Sequence, residues 1–283
     1  MKCYLCSSNQ YRSRKGHVRD EPNLEILECE DCGLVYLSSL EHIQSGFYED
    51  SGMHGESPVP IETWLKDTEW DDQRRFEMLK QMLPNKKLLD FGCGAGGFLS
   101  KVQHSAGSVT GVELERRVRE HWDGQIMIHA NTEFAEADYD LITAFHVIEH
   151  LPDPRAMLKV LAEKLADNGR LVVEVPSSDD ALLTFYDSKA FQNFTYWSQH
   201  LFLFNSDTLQ KLAKQVGLRI VAIQQYQRYP LSNHLHWLSK SEPGGHQTWA
   251  FLDTPELNEA YSNTLARMGK SDTLIAYLEK NES

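Results

Sequence analysis

The 283-residue sequence predicts an α/β fold: a mostly parallel sheet covered by helices on both faces, preceded by a small cysteine-rich module. Three observations predict it. Strand-like and helix-like segments alternate between residues 87 and 175, a glycine-rich turn follows the first of those strands, and two Cys-x-x-Cys pairs stand near the N-terminus. An apolar content of 41% marks a folded globular chain. The formal charge of −13 argues against a nonspecific nucleic-acid coat, which needs a basic surface. No apolar run reaches the ~20 residues of a membrane span, and the first residues lack a signal-peptide core, so a cytoplasmic location is expected.

Residues 1–40 alternate short extended stretches (Leu24–Leu27, Leu34–Leu37) with cysteine knuckles. Cys3-x-x-Cys6 and Cys29-x-x-Cys32 are separated by 22 residues. Four thiolates in two knuckles suit tetrahedral zinc, with no position left open for water, which predicts a structural site in a zinc ribbon. Gly33 after Cys32 supplies the knuckle turn. A segment this short buries little core, so the metal would replace one.

Residues 41–60 read as a connector, and Trp64, Leu65, Trp70, Phe76, Leu79 and Leu83 recur at helical spacing before Pro84. Together, 41–84 form a connector and helix. Strands are expected at Lys87–Phe91, Ser108–Val112, Ile126–His129, Leu141–Phe145 and Leu171–Val175, with helices at Gly97–Ser105, Arg116–Trp122 and Pro154–Leu165. A helix over Asp207–Val216, capped by Ser206 and Gly217, and a strand over Leu218–Ile223 complete a core of residues 85–226. Helices are expected over Pro255–Met268 and Asp272–Lys280, within a C-terminal segment 227–283.

The core's strongest signal is Asp90-Phe91-Gly92-Cys93-Gly94-Ala95-Gly96, where a strand runs into a Gly-x-Gly-x-Gly turn and a helix begins at once. Glycines there let a ligand approach the backbone. Glu113 ends the next strand, 21 residues after Gly92, where a carboxylate can accept hydrogen bonds from ribose hydroxyls. A dinucleotide site spaces its glycines Gly-x-Gly-x-x-Gly around a pyrophosphate, and Asp90 would be ill placed beside one. A carboxylate there suits a ligand with an amino group and a sulfonium, which is S-adenosylmethionine. Cys93 reads as a small packing residue.

These elements, with Tyr139-Asp140-Leu141-Ile142 and Phe145-His146-Val147-Ile148-Glu149-His150-Leu151-Pro152-Asp153-Pro154, resemble the class I S-adenosylmethionine-dependent methyltransferases over residues 70–225. The resemblance implies a Rossmann-like seven-stranded sheet with the zinc ribbon before it and a helical appendage after it. It implies that Asp90, Gly92 and Gly94 lie along the methionine part and Glu113 at the ribose. Asn131–Phe134 would flank the adenine, and Phe91, Gly96 and Phe145 join the cofactor set. With its ribbon the chain is similar to sugar methyltransferases of glycan synthesis, which implies a small, sugar-like acceptor.

Methyl transfer needs an aligned acceptor and a group to remove its proton, and histidine suits that task at neutral pH. His146 and His150 follow the fourth strand. The segment Tyr196-Trp197-Ser198-Gln199-His200-Leu201-Phe202 resembles the Glu-His-Leu element that supplies a catalytic histidine in the zinc-ribbon sugar methyltransferases, with Gln199 replacing the acid. His200 is therefore the leading base and His146 the second; each histidine also has a plainer reading, as a cap or a packing residue. In ubiquinone-pathway O-methyltransferases the motif after strand four begins with Glu and binds a divalent cation, so His146, Glu149 and His150 offer an alternative, partial metal site. The polar and aromatic run from Gln227 to His246 reads as a ligand cleft, with Arg228 or His246 able to hold an acceptor's anionic group, or as a dimer contact made with the terminal helices. Two other functions stay open: an RNA methyltransferase gripping RNA through Arg12, Arg14, Lys15 and Arg19, and a noncatalytic cofactor-binding scaffold.

Overall fold

The computed structural model describes residues 2–43 and 59–281. Residues 44–58 of the connector expected at 41–60 lie outside them. At the N-terminus, β1 (Tyr11–Ser13), β2 (Ile26–Cys29) and β3 (Val35–Leu37) form an antiparallel sheet. Helix α1 (Ile61–Leu79) runs across the start of the core. The core continues with β4 (Lys87–Phe91), α2 (Gly97–Val102), β5 (Ser108–Val112), α3 (Arg116–His121), β6 (Met127–His129) and β7 (Tyr139–Phe145). Then follow α4 (Pro154–Lys164), β8 (Leu165–Pro176), α5 (Ala181–Thr184), α6 (Lys189–Thr195) and β9 (Phe202–Leu203). The chain ends with α7 (Ser206–Gln215), β10 (Leu218–Tyr226), α8 (Leu231–Lys240), α9 (Gly245–Thr248), α10 (Pro255–Met268) and β11 (Thr273–Lys280).

Local chemistry sets these bounds. Pro154 opens α4, where it forfeits no helical N–H, and Asp153 accepts the Ala156 N–H at 3.0 Å. Helix α7 is capped by Asn205, one residue earlier than expected. Asn205 and Thr208 exchange side-chain and backbone bonds in a capping box, so Ser206 is already helical.

The main sheet has seven strands in the order β10-β11-β8-β7-β4-β5-β6. Strands β8, β7, β4, β5 and β6 are parallel, and β11 pairs antiparallel with both β8 and β10. The α/β class and the seven-stranded sheet expected from sequence are thus present, with α8–α10 forming the helical C-terminal segment. The helix expected over Asp272–Lys280 is instead strand β11. Its Thr273–Ala276 and Leu278 are buried, because helices or loops cover both faces and a strand lies on each side. Such a strand reads as a continuous apolar run that periodicity cannot separate from a buried helix.

The N-terminal module is not free-standing. Strand β3 pairs with β9, Val35 opposite Leu203 and Tyr36 opposite Phe202, so the small sheet takes its fourth strand from the core. Val18, Leu34 and Val35 pack in one apolar cluster with Leu201, Phe204 and Leu212.

Candidate active site

The glycine turn shapes a cavity of about 360 Å³ at the C-terminal edge of β4 and β5, where open α/β sheets bind ligands. Gly92 has φ +69°, and a Cβ there would stand 2.5 Å from Val147 Cγ2. Gly96 has φ +82°, and a Cβ there would meet the Trp122 indole nitrogen at 2.4 Å. That nitrogen donates to Ala95 O at 2.8 Å and locks the turn. Asp90, Phe91, Gly92, Gly94, Glu113 and Phe145 all line the cavity. Gly96 lies behind it as part of the turn. Asn131 is not in the lining: its side chain accepts the Glu133 N–H at 3.0 Å, and Phe134 is exposed to solvent. The loop Asn131–Phe134, expected to flank the adenine, lies outside this lining.

Asp90 is buried and accepts the Thr143 hydroxyl at 2.6 Å. Burial pushes its carboxyl up to about 7. Glu113 is also raised by burial, against two backbone donors, Gly94 N–H and Glu115 N–H, each at 2.9 Å. Two carboxyl groups raised by desolvation in a cavity gain most from a ligand that brings positive charge or hydroxyl donors. Cys93 is buried, and burial pushes its thiol well up, as befits a packing residue.

Beside this cavity lies a charge network that sequence reading missed. Glu174 is fully buried on β8. It accepts Arg74 Nη1 at 2.9 Å and Arg75 Nη2 at 2.8 Å, and His146 Nε2 stands 3.0 Å from its Oε1. Burial would raise Glu174, but Arg75, His146 and Arg74 hold it well below the usual carboxylate range. A lone acid inside Leu171–Val175 and the Arg74-Arg75 pair on α1 were the available signals. The Arg228 guanidinium pairs with Asp71 through Nε and Nη2 and lines the cavity as well.

His146 sits at φ +55° and lies between two acids, with Nδ1 3.1 Å from Glu149 Oε1. Burial alone would lower its pKa, yet Glu149 and Glu174 raise it. Nε2 lies within ion-pair distance of Glu174 but makes no hydrogen bond to it.

A second cavity of about 480 Å³ adjoins the first, and His146 and Arg228 line both. Phe191, Phe194, Trp197, Tyr229 and Trp237 supply aromatic walls. His200 lines it too, with its ring 5.7 Å from Trp197 and 4.9 Å from His150. Burial, then the neighbouring His150, lowers His200 to about 3, so the ring is neutral at physiological pH. His150 lines the first cavity; its Nδ1–H donates to Gln199 O at 2.9 Å, which leaves Nε2 as the acceptor nitrogen. The structure groups Glu149, His150 and His200, whose ligand atoms lie within 4.8 Å of one another. Of the expected set His146, Glu149 and His150, His146 Nδ1 lies 3.1 Å from Glu149 Oε1, while its Nε2 lies 3.0 Å from Glu174.

At the N-terminus the four cysteine sulfurs also lie within 4.8 Å of one another, with Cys3 and Cys32 at 3.6 Å and Cys6 and Cys29 at 3.4 Å. These separations are far beyond an S–S bond and match the spacing of thiolates around one tetrahedral ion. Gly33 turns the second knuckle at φ +79° and donates its N–H to Cys29 O at 2.9 Å.

A family model described as a methyltransferase domain matches residues 65–223. The ubiquinone biosynthesis O-methyltransferase of Hydrogenovibrio crunogenus is 30% identical over 132 residues, covering 37% of this chain and 54% of that protein. Its counterpart from Idiomarina loihiensis is 30% identical over 129 residues, covering 36% and 53%. The chain thus spans about half the length of these curated relatives. Among solved structures, a SAM-dependent methyltransferase from Archaeoglobus fulgidus aligns with a TM-score of 0.51 at 17% identity, over 78% of this chain and 95% of that one. A chain from the complex between the Haloferax volcanii Trm112 methyltransferase activator and a methyltransferase aligns at 0.52 and 12% identity, over 79% and 96%. These two likenesses concern the fold alone.

Proposed function

We propose that this chain, which belongs to the methyltransferase-domain family, transfers a methyl group from S-adenosylmethionine to a small ring-shaped acceptor held in the second cavity. The observation that carries the reading is the pair of cavities meeting at His146 and Arg228, one lined by raised carboxyl groups and the other by aromatic rings. S-adenosylmethionine supplies an already activated methyl group. The protein's work is then to hold the two partners in line and to take a proton from the acceptor.

Asp90, beside the glycine turn, would face the ligand's amino and sulfonium charge, with Phe91, Gly92 and Gly94 along the methionine part. Glu113 would accept from the ribose hydroxyls. Phe145 closes the cavity, with the Arg75 guanidinium 4.6 Å from its ring centre. In the second cavity the aromatic walls suit a sugar or a phenolic ring. The sugar-like acceptor expected from sequence stays the leading choice, and the O-methyltransferase names of the relatives favour oxygen as the methylated atom.

His200 is the proposed base. It is neutral, lines the acceptor cavity, and has Glu149 nearby to balance the positive charge it would gain. His146 becomes a structural cation within the carboxylate network, and His150 orients the base. The cysteine set fits zinc, held as a structural ion. The ribbon's basic residues favour a small acceptor over RNA. Arg12 pairs with Glu28 and Lys15 with Asp187, Arg14 reaches Ser178 O, and Arg19 lies over Phe194 and Trp197. Each of these four basic side chains thus already has a partner within the protein.

The test is release of S-adenosylhomocysteine across a panel of sugar and phenol acceptors. Turnover by the wild type and not by His200→Gln, with cofactor affinity retained, supports the reading; equal turnover by both removes His200 as base.

A further inference from the structure

The segment that carries His200 is held by the N-terminal chain at the backbone of Tyr196, Ser198 and Leu201. Asp20 Oδ1 accepts the Ser198 N–H at 2.9 Å, and its Oδ2 accepts the Ser198 hydroxyl at 2.7 Å. His42 Nε2 lies 2.7 Å from Ser198 O and donates to it. Arg19 N–H donates to Tyr196 O at 3.0 Å, and Leu37 N–H to Leu201 O at 3.1 Å. The Arg19 guanidinium stands 5.0 Å from the Phe194 ring centre and 5.1 Å from that of Trp197, and it lines the second cavity. On the opposite side, Leu201 N–H donates to Glu149 O at 2.9 Å and His150 Nδ1–H to Gln199 O. The turn Tyr196–Leu201 is therefore clamped between the module and the loop after β7.

The register links this clamp to the cysteines. Tyr11 pairs with Cys29 at one end of the β1–β2 hairpin and Ser13 with Leu27 toward the other. The loop that carries Arg19 and Asp20 leaves from this second end. A metal ion on the four thiolates would fix the near end of the hairpin, and the loop from its far end carries Asp20. The first cavity takes no lining residue from the module.

We propose that the cysteine module is a wall of the acceptor cavity, and that Asp20 is a positioning residue that sets His200 through Ser198. Metal in the module then holds the acceptor side in shape while the donor side stands without it. The catalytic meaning of this coupling rests on the His200 reading above; the coupling itself does not.

The test is amide hydrogen exchange on the full chain, read by mass spectrometry with peptides covering 196–201 and 88–97, together with bound-zinc stoichiometry and S-adenosylhomocysteine binding. In Asp20→Ala, the amides of Ser198, His200 and Leu201 should all exchange about tenfold faster or more, with zinc content unchanged and 88–97 still protected. Asp20→Asn, which keeps one acceptor oxygen, should fall between. Chelator-treated wild type should deprotect the same three amides and spare 88–97. Faster exchange at Ser198 alone would reduce Asp20 to a local contact and overturn the positioning role. Equal deprotection of 88–97 on chelation would make the metal a support of the whole fold and overturn the selective coupling. Failure of the wild type to bind S-adenosylhomocysteine would count against the donor-site assignment and leave the exchange result standing.

Discussion

The cavity at the glycine turn, proposed above as the donor side, draws its lining from residues 64–151 and Arg228. The adjoining cavity draws on the ribbon's Arg19, on residues 176–203 and on residues 228–273, with His146 at the seam. One is built by local backbone geometry, the other by long-range assembly. The contrast teaches that the donor side should tolerate changes in the ribbon and fail with its own loop, whereas the acceptor side should respond to distant contacts. Both also carry displaced titration, in opposite senses: burial raises Asp90 to about 7 and lowers His200 to about 3.

The sharpest separation should come from His200→Ala. Removing a general base costs about 10²–10⁴ in rate, so turnover should fall by that order while S-adenosylhomocysteine binds as before. Joint loss of both would merge the two cavities into one unit.

Asp90→Ala should act on the donor side alone. Losing a charged hydrogen-bonding partner costs ~1.5–3 kcal/mol, or about ten- to a hundredfold in affinity for S-adenosylmethionine by calorimetry. Because the Asp90 carboxyl lies at about 7, it must lose its proton to meet a cation. Affinity for S-adenosylmethionine should therefore rise between about pH 6 and pH 8 in the wild type and stay flat in Asp90→Asn.

Gly92→Ala forces a Cβ against Val147 and strains a left-handed backbone, at ~1–3 kcal/mol. Adding Val147→Ala should relieve the clash and leave the backbone strain. A double variant with fully restored thermal stability and cofactor affinity would make the steric contact the whole effect.

A further effect concerns stability. His200 binds its proton near 6.5 when unfolded and near 3 when folded, so between those values the unfolded state holds the extra proton. Stability should be fully present above pH 6.5 and fall by at most ~1.4 kcal/mol per pH unit below it. His200→Gln should flatten that slope in denaturant melts at pH 5 and pH 6; an unchanged slope would place the titration elsewhere.

How much of this was readable from sequence follows from the same contrast. Asp90, the glycine turn and Glu113 announce themselves because strand, turn and carboxylate lie close along the chain. The cysteine pairs do so because metal chemistry restricts their spacing. Strand β11 was misread as a helix since its buried apolar run carries no period of two. Glu174 hid in an apolar strand, and its partners Arg74 and Arg75 stand on a helix about a hundred residues earlier. The Asp20–Ser198 clamp joins residues 178 positions apart, and neither one looks unusual in its own neighbourhood. Asn131 lies outside the lining, and its side chain caps its own turn.

The most direct test of the donor site is calorimetric titration of the zinc-loaded protein with S-adenosylhomocysteine and S-adenosylmethionine, in the wild type and in Asp90→Ala. Saturable binding at one site, weakened at least about tenfold by the substitution, is the predicted result. Equal binding by both proteins, or none by the wild type, would contradict it.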